Sequence, residues 1–228
     1  MVQTNFVFTT NTSSVTNKVS ISRRSTDGLK SWQSVFKDQS TEVITSSQTV
    51  YPGSGVRTET TTYPDSSSVV KSYSYGRLST GTRKNSSGGQ VTKATYAYDV
   101  HGRVSSITDE RNGATKYFYN KADQVTNSVS PAIGIGLVQQ TQTAYDSQGR
   151  VIAVTQPDGT ITENEYFENG LISKTFGSRT YPVEYTYDDQ GRLKTMKTWK
   201  DYSGASGAAI TTWNYDPYRG WLTSKDYP

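Results

Sequence analysis

Four aspartates recur in one setting: Asp99, Asp146, Asp188 and Asp216 each directly follow a tyrosine. Two carboxylates facing each other across a cleft could act as the acid and base of a glycosidase. These four occupy equivalent places in copies of one short motif, so they read as successive rungs of an array and not as two walls of a cleft. The single histidine, His101, stands in a slot filled elsewhere by Gln148 and Gln190, which makes it a surface residue. One histidine and no cysteine exclude a thiolate metal site, a Cys nucleophile and a disulfide framework, and speak against a His-rich zinc site or a Ser-His-Asp triad. Gly53-Ser54-Gly55 and Ser87-Gly88-Gly89 lack the Lys-Ser/Thr or the following helix of a phosphate loop. The sequence therefore predicts no catalytic residue, no metal site and no cofactor.

The motif itself is Tyr98-Asp99-Val100-His101-Gly102-Arg103-Val104, repeated as Tyr145-Asp146-Ser147-Gln148-Gly149-Arg150-Val151 and Tyr187-Asp188-Asp189-Gln190-Gly191-Arg192-Leu193. Looser copies begin at Tyr119, which has Asn120 for Asp and ends in Val125, and at Tyr166, which keeps Gly170 and an apolar end. Another begins at Tyr215-Asp216, with Arg219 and Gly220 exchanged and one residue added, and a last one reads Tyr75-Gly76-Arg77-Leu78 without the turn residues. Counted from Tyr75, the motif tyrosines are 23, 21, 26, 21, 21 and 28 residues apart. Such a period marks an array of units that bury their faces on one another.

The residue types define hairpins. Asp at the head of the turn accepts hydrogen bonds from backbone two residues on, Gly three residues later supplies the left-handed conformation, and Arg-Leu/Val opens the return strand. Second turns follow at Asp109–Gly113, Gln156–Gly159 and Phe176–Ser178. Two places before each motif tyrosine stand Tyr73, Tyr96, Tyr117, Thr143, Asn164, Tyr185 and Trp213, mostly aromatic and on the same face. Ile107, Val154 and Met196 lie three residues after the Val/Leu, an offset that breaks alternation and predicts a bulge.

Composition agrees. Apolar residues make up only 32%, with a mean hydropathy of −0.70, but 17 Tyr, 6 Phe and 4 Trp argue against disorder. Net charge is +4 with the basic residues scattered, which reads as a solvated surface and not a nucleic-acid face. No apolar run approaches the ~18 residues of a membrane span, and Met1–Thr10 lacks the pattern of a signal peptide. The start and end look like cuts from a longer protein. Residues 1–26 read as a strand or a flexible tail, and 27–228 as a single array with clear repeats over 73–222. Lys30–Arg83 reads as degenerate repeats, and Ala132-Ile133-Gly134-Ile135-Gly136 as a loop insertion. About fourteen to eighteen antiparallel strands are expected from the turn signals.

These residues resemble the RHS or YD repeat family of bacterial polymorphic toxins, insecticidal Tc toxin components and animal teneurins. The resemblance implies an all-β, spiralling antiparallel sheet of YD hairpins that builds a non-enzymatic shell or scaffold segment of a secreted or cell-surface, toxin-related protein. Its partners would be further repeats or a toxin cargo, and its open ends invite end-to-end self-association. The chain has too few units to close a shell alone. Members that enclose cargo end in a self-cleaving segment; Asp216-Pro217-Tyr218-Arg219-Gly220 resembles one faintly and reads better as a degenerate turn. Structural roles fall to Tyr98, Asp99, Gly102, Arg103, Tyr119, Tyr145, Asp146, Gly149, Arg150, Tyr166, Gly170, Tyr187, Asp188, Gly191, Arg192, Tyr215 and Asp216. The alternative function is a module that binds glycans or a surface protein, with Trp199, Tyr202, Trp213, Tyr218 and Trp221 as stacking residues.

Overall fold

Branched and aromatic residues fill the segments between turn signals, and they suit a pleated, half-buried surface better than a helix. The structure, a computed structural model, describes residues 2–8, 16–38, 41–131 and 138–228. The expected loop insertion at 132–136 lies outside them. The described residues form 19 strands and no helix, so no helix is long and apolar enough to cross a membrane.

The chain divides into two compact units, Met1–Thr115 and Lys116–Pro228. The first holds β1 (Val2–Phe8), β2 (Thr16–Arg24), β3 (Lys30–Phe36), β4 (Glu42–Gly53), β5 (Val56–Thr62), β6 (Ser68–Ser74), β7 (Arg77–Lys84), β8 (Gln90–Tyr98) and β9 (Val104–Asp109). Each strand pairs antiparallel with the next. The second unit begins within β10 (Gly113–Tyr119). It continues through β11 (Val125–Val129), β12 (Gln140–Tyr145), β13 (Val151–Thr155), β14 (Ile161–Tyr166), β15 (Ile172–Phe176), β16 (Val183–Tyr187), β17 (Leu193–Asp201), β18 (Ser206–Tyr215) and β19 (Leu222–Asp226). The same nearest-neighbour antiparallel order holds there.

Hardly any side chain is lost to solvent. Ile21 and Trp199 are the buried hydrophobic residues among those described, with Ser34 and Thr211 the buried polar ones. Stability must then come from half-buried cross-strand pairs and the backbone ladder, each pair contributing roughly 0.2–1 kcal/mol.

The bulge implied by the offset apolar residues is present in every motif hairpin. Tyr98 pairs with Val104 but Ala97 with Ser106, so Ser105 is extra. Tyr145 pairs with Val151 but Ala144 with Ala153, and Tyr187 with Leu193 but Thr186 with Thr195. The extra residue returns Val104 and Ile107 to one face, where Ile107 meets Tyr96. The same register corrects one assignment. Tyr73, not Tyr75, pairs with Leu78 across a bulge, so Tyr73 is the motif tyrosine of that hairpin. Tyr75 sits in the two-residue turn itself with φ of 47°, followed by Gly76 at 82°, and is 83% exposed. Two consecutive positive φ angles are the mark of the tight hairpin turn whose twist matches the strands.

Candidate functional site

The repeated feature with defined chemistry is the turn and what it reaches. In the Asp99 turn the Asp99 amide donates to the Arg103 carbonyl at 2.9 Å, and the Gly102 amide to the Asp99 carbonyl at 3.0 Å. The Asp146 and Asp188 turns repeat both bonds. Gly102, Gly149 and Gly191 have φ of 86°, 82° and 76°, as a type I turn closed by a bulge requires. Asp99 Oδ1 accepts the amides of His101 and Arg103, each at 2.9 Å, while Oδ2 accepts Arg103 Nε at 2.7 Å. Arg150 and Arg192 bind Asp146 and Asp188 the same way, each Nε at 2.6 Å. His101 itself is exposed and contributes its amide.

Asn120 shows that geometry, more than charge, defines the turn. Its Oδ1 takes the amides of Ala122 and Gln124 at 2.9 and 3.0 Å, and its Nδ2 donates to Gln124 Oε1 at 3.0 Å. A neutral amide pair thus spans the same turn positions as Asp–Arg, with the side-chain bond reversed so that Asn120 donates and Gln124 accepts. Asp216 keeps the cap over a turn one residue longer, accepting the amides of Tyr218 and Arg219, which places the Asp216–Gly220 segment among the turns.

From its own turn the motif arginine reaches the following hairpin. Arg77 lies over the Tyr98 ring at 5.6 Å, Arg150 over Tyr166 at 4.6 Å and Arg192 over Tyr215 at 4.3 Å. Each guanidinium also lies against the following turn. A Cβ on Gly102 would stand 2.6 Å from Arg77 Nη2, and one on Gly220 2.9 Å from Arg192 Nη1. Arg150 Nη1 donates to the Phe167 carbonyl at 3.2 Å. Glycine supplies the positive φ of these turns, and at Gly102 and Gly220 it also leaves room for a neighbour's guanidinium.

The tyrosine closes the contact in the other direction. Tyr98 Oη donates to the Leu78 carbonyl at 2.8 Å, Tyr145 to Val125 at 2.9 Å, Tyr166 to Val151 at 2.7 Å and Tyr215 to Leu193 at 3.0 Å. Each acceptor is the residue of the preceding hairpin's return strand that pairs with that hairpin's own motif tyrosine. These carbonyls sit at the bulge, where the ladder leaves backbone groups open. Motif tyrosine, Asp–Arg pair and turn glycine thus form one clamp between successive hairpins.

One clamp is rebuilt. In the Tyr166 hairpin, Phe167 and Leu171 stand where Asp and Arg stand elsewhere. Phe167 meets Tyr187 edge-on at a centroid distance of 6.2 Å, an apolar contact in place of the cation. Burial, with Tyr185 adding, pushes the Tyr187 phenol up from its ordinary value.

The five C-terminal aromatics do not make one platform. Trp199 is only 9% exposed, packed edge-on against Tyr202 at 4.9 Å with Lys197 over its ring at 4.8 Å. It pairs with Ala208, whereas Trp213 lies on the opposite face of β18 beside Lys225. Tyr218 and Trp221, 95% and 65% exposed, belong to the turn at the other end of β18. The seven steps from Ala208 to Tyr215 put roughly 23 Å between these ends, at about 3.3 Å per residue. Closeness in sequence had suggested a cluster, but an antiparallel hairpin carries the two ends of its strand apart.

The carboxyls of the clamp titrate low. For Asp146 the Arg150 amide is the main cause; partial burial opposes it, and the Arg150 side chain and Gln148 amide add to it. For Asp99 and Asp188 partial burial pushes upward, but hydrogen bonds and charge from Arg103 and Arg192 outweigh it. A carboxyl lowered in the folded state stabilises above the unfolded value near 3.9 and loses that contribution as pH falls through its folded value. Acid unfolding should therefore steepen below about pH 4. The double substitution Asp146→Asn, Arg150→Gln, patterned on Asn120–Gln124, should narrow the difference in urea midpoint between pH 7 and pH 3. An unchanged or wider difference would exclude Asp146 as an acid-sensitive element.

Within each unit, consecutive antiparallel hairpins held to one another by motif tyrosine and arginine contacts define a stacked-hairpin repeat array of the YD type. The teneurin YD-shell family model matches residues 5–205, and the chain belongs to that family. No curated protein matches it in sequence. Among solved structures it is similar to TcdB2-TccC3-TEV, with 12% identity over 92% of this chain and 15% of that one, at a TM-score of 0.47. TcdB2-TccC3 gives the same identity and score, over 92% and 16%. A porin-like protein from Bacteroides uniformis is 11% identical over 99% of this chain and 92% of that one, at a TM-score of 0.25. The chain spans under a fifth of the length of the first two.

Proposed function

We propose that this chain is a stretch of non-enzymatic wall in a larger, secreted or cell-surface, toxin-related protein, where it joins further repeats and helps to enclose a cargo. The observation that carries the reading is the clamp. Tyr98, Tyr145, Tyr166 and Tyr215, with Arg77, Arg150 and Arg192, each contact a neighbouring hairpin, so a unit is complete only within a run of like units, as in other repeat arrays. A shell needs this property: a sheet extended by addition, with no large buried core to interrupt it. Membership of the YD-shell family supports the same role. The strand β19 is exposed along its length, which suits it to pairing with a further repeat or a second copy.

Electron cryomicroscopy of the array expressed with its flanking sequence tests the proposal. A wall one sheet thick around a lumen is expected. Two sheets packed face to face about 10 Å apart would overturn it, because a sandwich leaves no lumen.

A further inference from the structure

Four turns of the first unit, joining β2 to β3, β4 to β5, β6 to β7 and β8 to β9, lie on one rim because successive strands alternate in direction. Each presents an exposed apolar side chain at or beside its tip: Leu29, Tyr51, Tyr75 and Val100. Tyr51 is 63% exposed and Val100 96%. Contacts tie each turn to the next. The Thr49 amide donates to the Leu29 carbonyl at 2.8 Å, the Tyr75 amide donates to the Gly55 carbonyl at 2.6 Å, and Arg77 reaches Gly102. Turns on one rim stand two strands apart, about 9–10 Å. The four side chains therefore form a row, whereas exposed apolar residues scattered singly need no explanation.

The opposite rim of the same unit is built differently. Its turns at 63–67, 85–89 and 110–112 are polar, with Tyr63 and Pro64 the exceptions. Charge follows the same division. Counted with one flanking residue on each side, the four apolar-tipped turns hold Arg24, Lys30, Arg77 and Arg103 against Asp27 and Asp99, a balance of +2. The three polar turns hold Lys84 and Arg111 against Asp65, Asp109 and Glu110, a balance of −1. Apolar tips and positive charge thus share one rim.

We propose that this rim docks on an anionic lipid bilayer. The tips of Leu29, Tyr51, Tyr75 and Val100 enter the boundary between headgroups and acyl chains, and the cations beside them meet the lipid phosphates. Binding of this kind adds buried apolar area to attraction for anionic lipid, and the rim supplies both. Tyrosine suits the boundary because its ring is apolar and its hydroxyl stays wet. The shape of the row favours lipid over a protein. Protein hot spots fill fitted, desolvated pockets near the centre of a patch. Separate tips about 9–10 Å apart need a partner that closes around each of them, which a fluid headgroup layer does. The proposal does not depend on the wall reading.

The test is co-sedimentation of the whole chain with vesicles of equal parts phosphatidylcholine and phosphatidylglycerol, against vesicles of phosphatidylcholine alone. Binding to the mixed vesicles is expected, weakening as salt rises. Tyr75→Asn combined with Val100→Ser should weaken it at least about tenfold through lost apolar burial. Both changes spare the fold. Asn-Gly is the preferred pair for a turn with two positive φ angles, and Ser147 already fills the place of Val100 in an equivalent turn. Lys30→Gln should weaken binding about fivefold, the worth of one cation at an anionic surface. Tyr63→Ser, on the opposite rim, should leave it unchanged. Absence of binding by folded protein overturns the proposal, as does equal binding to neutral vesicles. Binding that the double variant retains in full would be adsorption by charge alone and overturns it too. A dimer in sedimentation equilibrium that the double variant abolishes, with no vesicle binding, would overturn it in favour of a contact between copies.

Discussion

Gly177→Ala should be among the most damaging single substitutions in the second unit, destabilising it by about 4 kcal/mol or more. Gly177 follows β15 with φ of 128°, outside the range an L-residue enters without strain. A Cβ there would stand 2.2 Å from the Ile161 carbonyl oxygen, 2.9 Å from its carbon and 3.2 Å from Thr162 Cα. All three are backbone atoms of β14, the partner strand in the same hairpin. Nothing flexible can move aside, so relief requires displacing β14 from its place beside β15, where Glu163 pairs with Phe176. Gly159→Ala is the control. Its φ is 79°, but an added Cβ meets nothing within 4 Å, so only the backbone term of about 1–2 kcal/mol remains. Urea unfolding of the two variants separates strain from collision. Equal losses would show that φ alone governs both sites.

The two glycines also show what could be read from the sequence. Gln156-Pro157-Asp158-Gly159 is a turn on composition alone, and the structure adds little to that reading. Phe176-Gly177-Ser178 reads equally as a turn, yet the reason for its glycine lies on the partner strand, at Ile161 and Thr162, and no local pattern encodes it. The repeat, the bulge and the Asp cap were legible because each is set by residues within about eight positions of one another. The clamp was only half legible. Tyrosine and arginine were visible as a motif, but that Arg77 serves Tyr98 and Gly102 depends on how hairpins stack. Tyr75 misled for a related reason. Tyr-Gly-Arg-Leu imitates the end of the motif, while the residue that holds Tyr75 in place is remote: its amide donates to the Gly55 carbonyl and its ring lies against the Gly55 Cα side. Among the aromatics, Trp199 and Trp221 are near neighbours in sequence but belong to opposite ends of a hairpin, and only the register separates them.

The second large effect falls on the clamp itself. Tyr166 donates to the Val151 carbonyl at 2.7 Å and lies under the Arg150 guanidinium at 4.6 Å, while Arg150 is held by Asp146. Tyr166→Phe removes the hydroxyl and keeps the ring, leaving the Val151 carbonyl with only the longer bond from Asn164 Nδ2 at 3.3 Å, and should cost about 1 kcal/mol. Tyr166→Ala also removes the ring and should cost about 3 kcal/mol, the low end for a large aromatic because this one is only half-buried. The more telling outcome concerns cooperativity. In an array that coheres through nearest-neighbour contacts, weakening one interface below the stability of the units on either side uncouples them. Tyr166→Ala should therefore lower the denaturant slope or split the urea transition of the second unit in two, whereas Tyr166→Phe should shift a single transition. Hydrogen exchange would locate the break, with the β12–β13 amides exchanging independently of those in β15–β16. A Tyr166→Ala protein that still unfolds in one transition of unchanged slope would mean that the backbone ladder, not the tyrosine clamp, couples the hairpins, and the shell would then owe its cohesion to strand pairing alone.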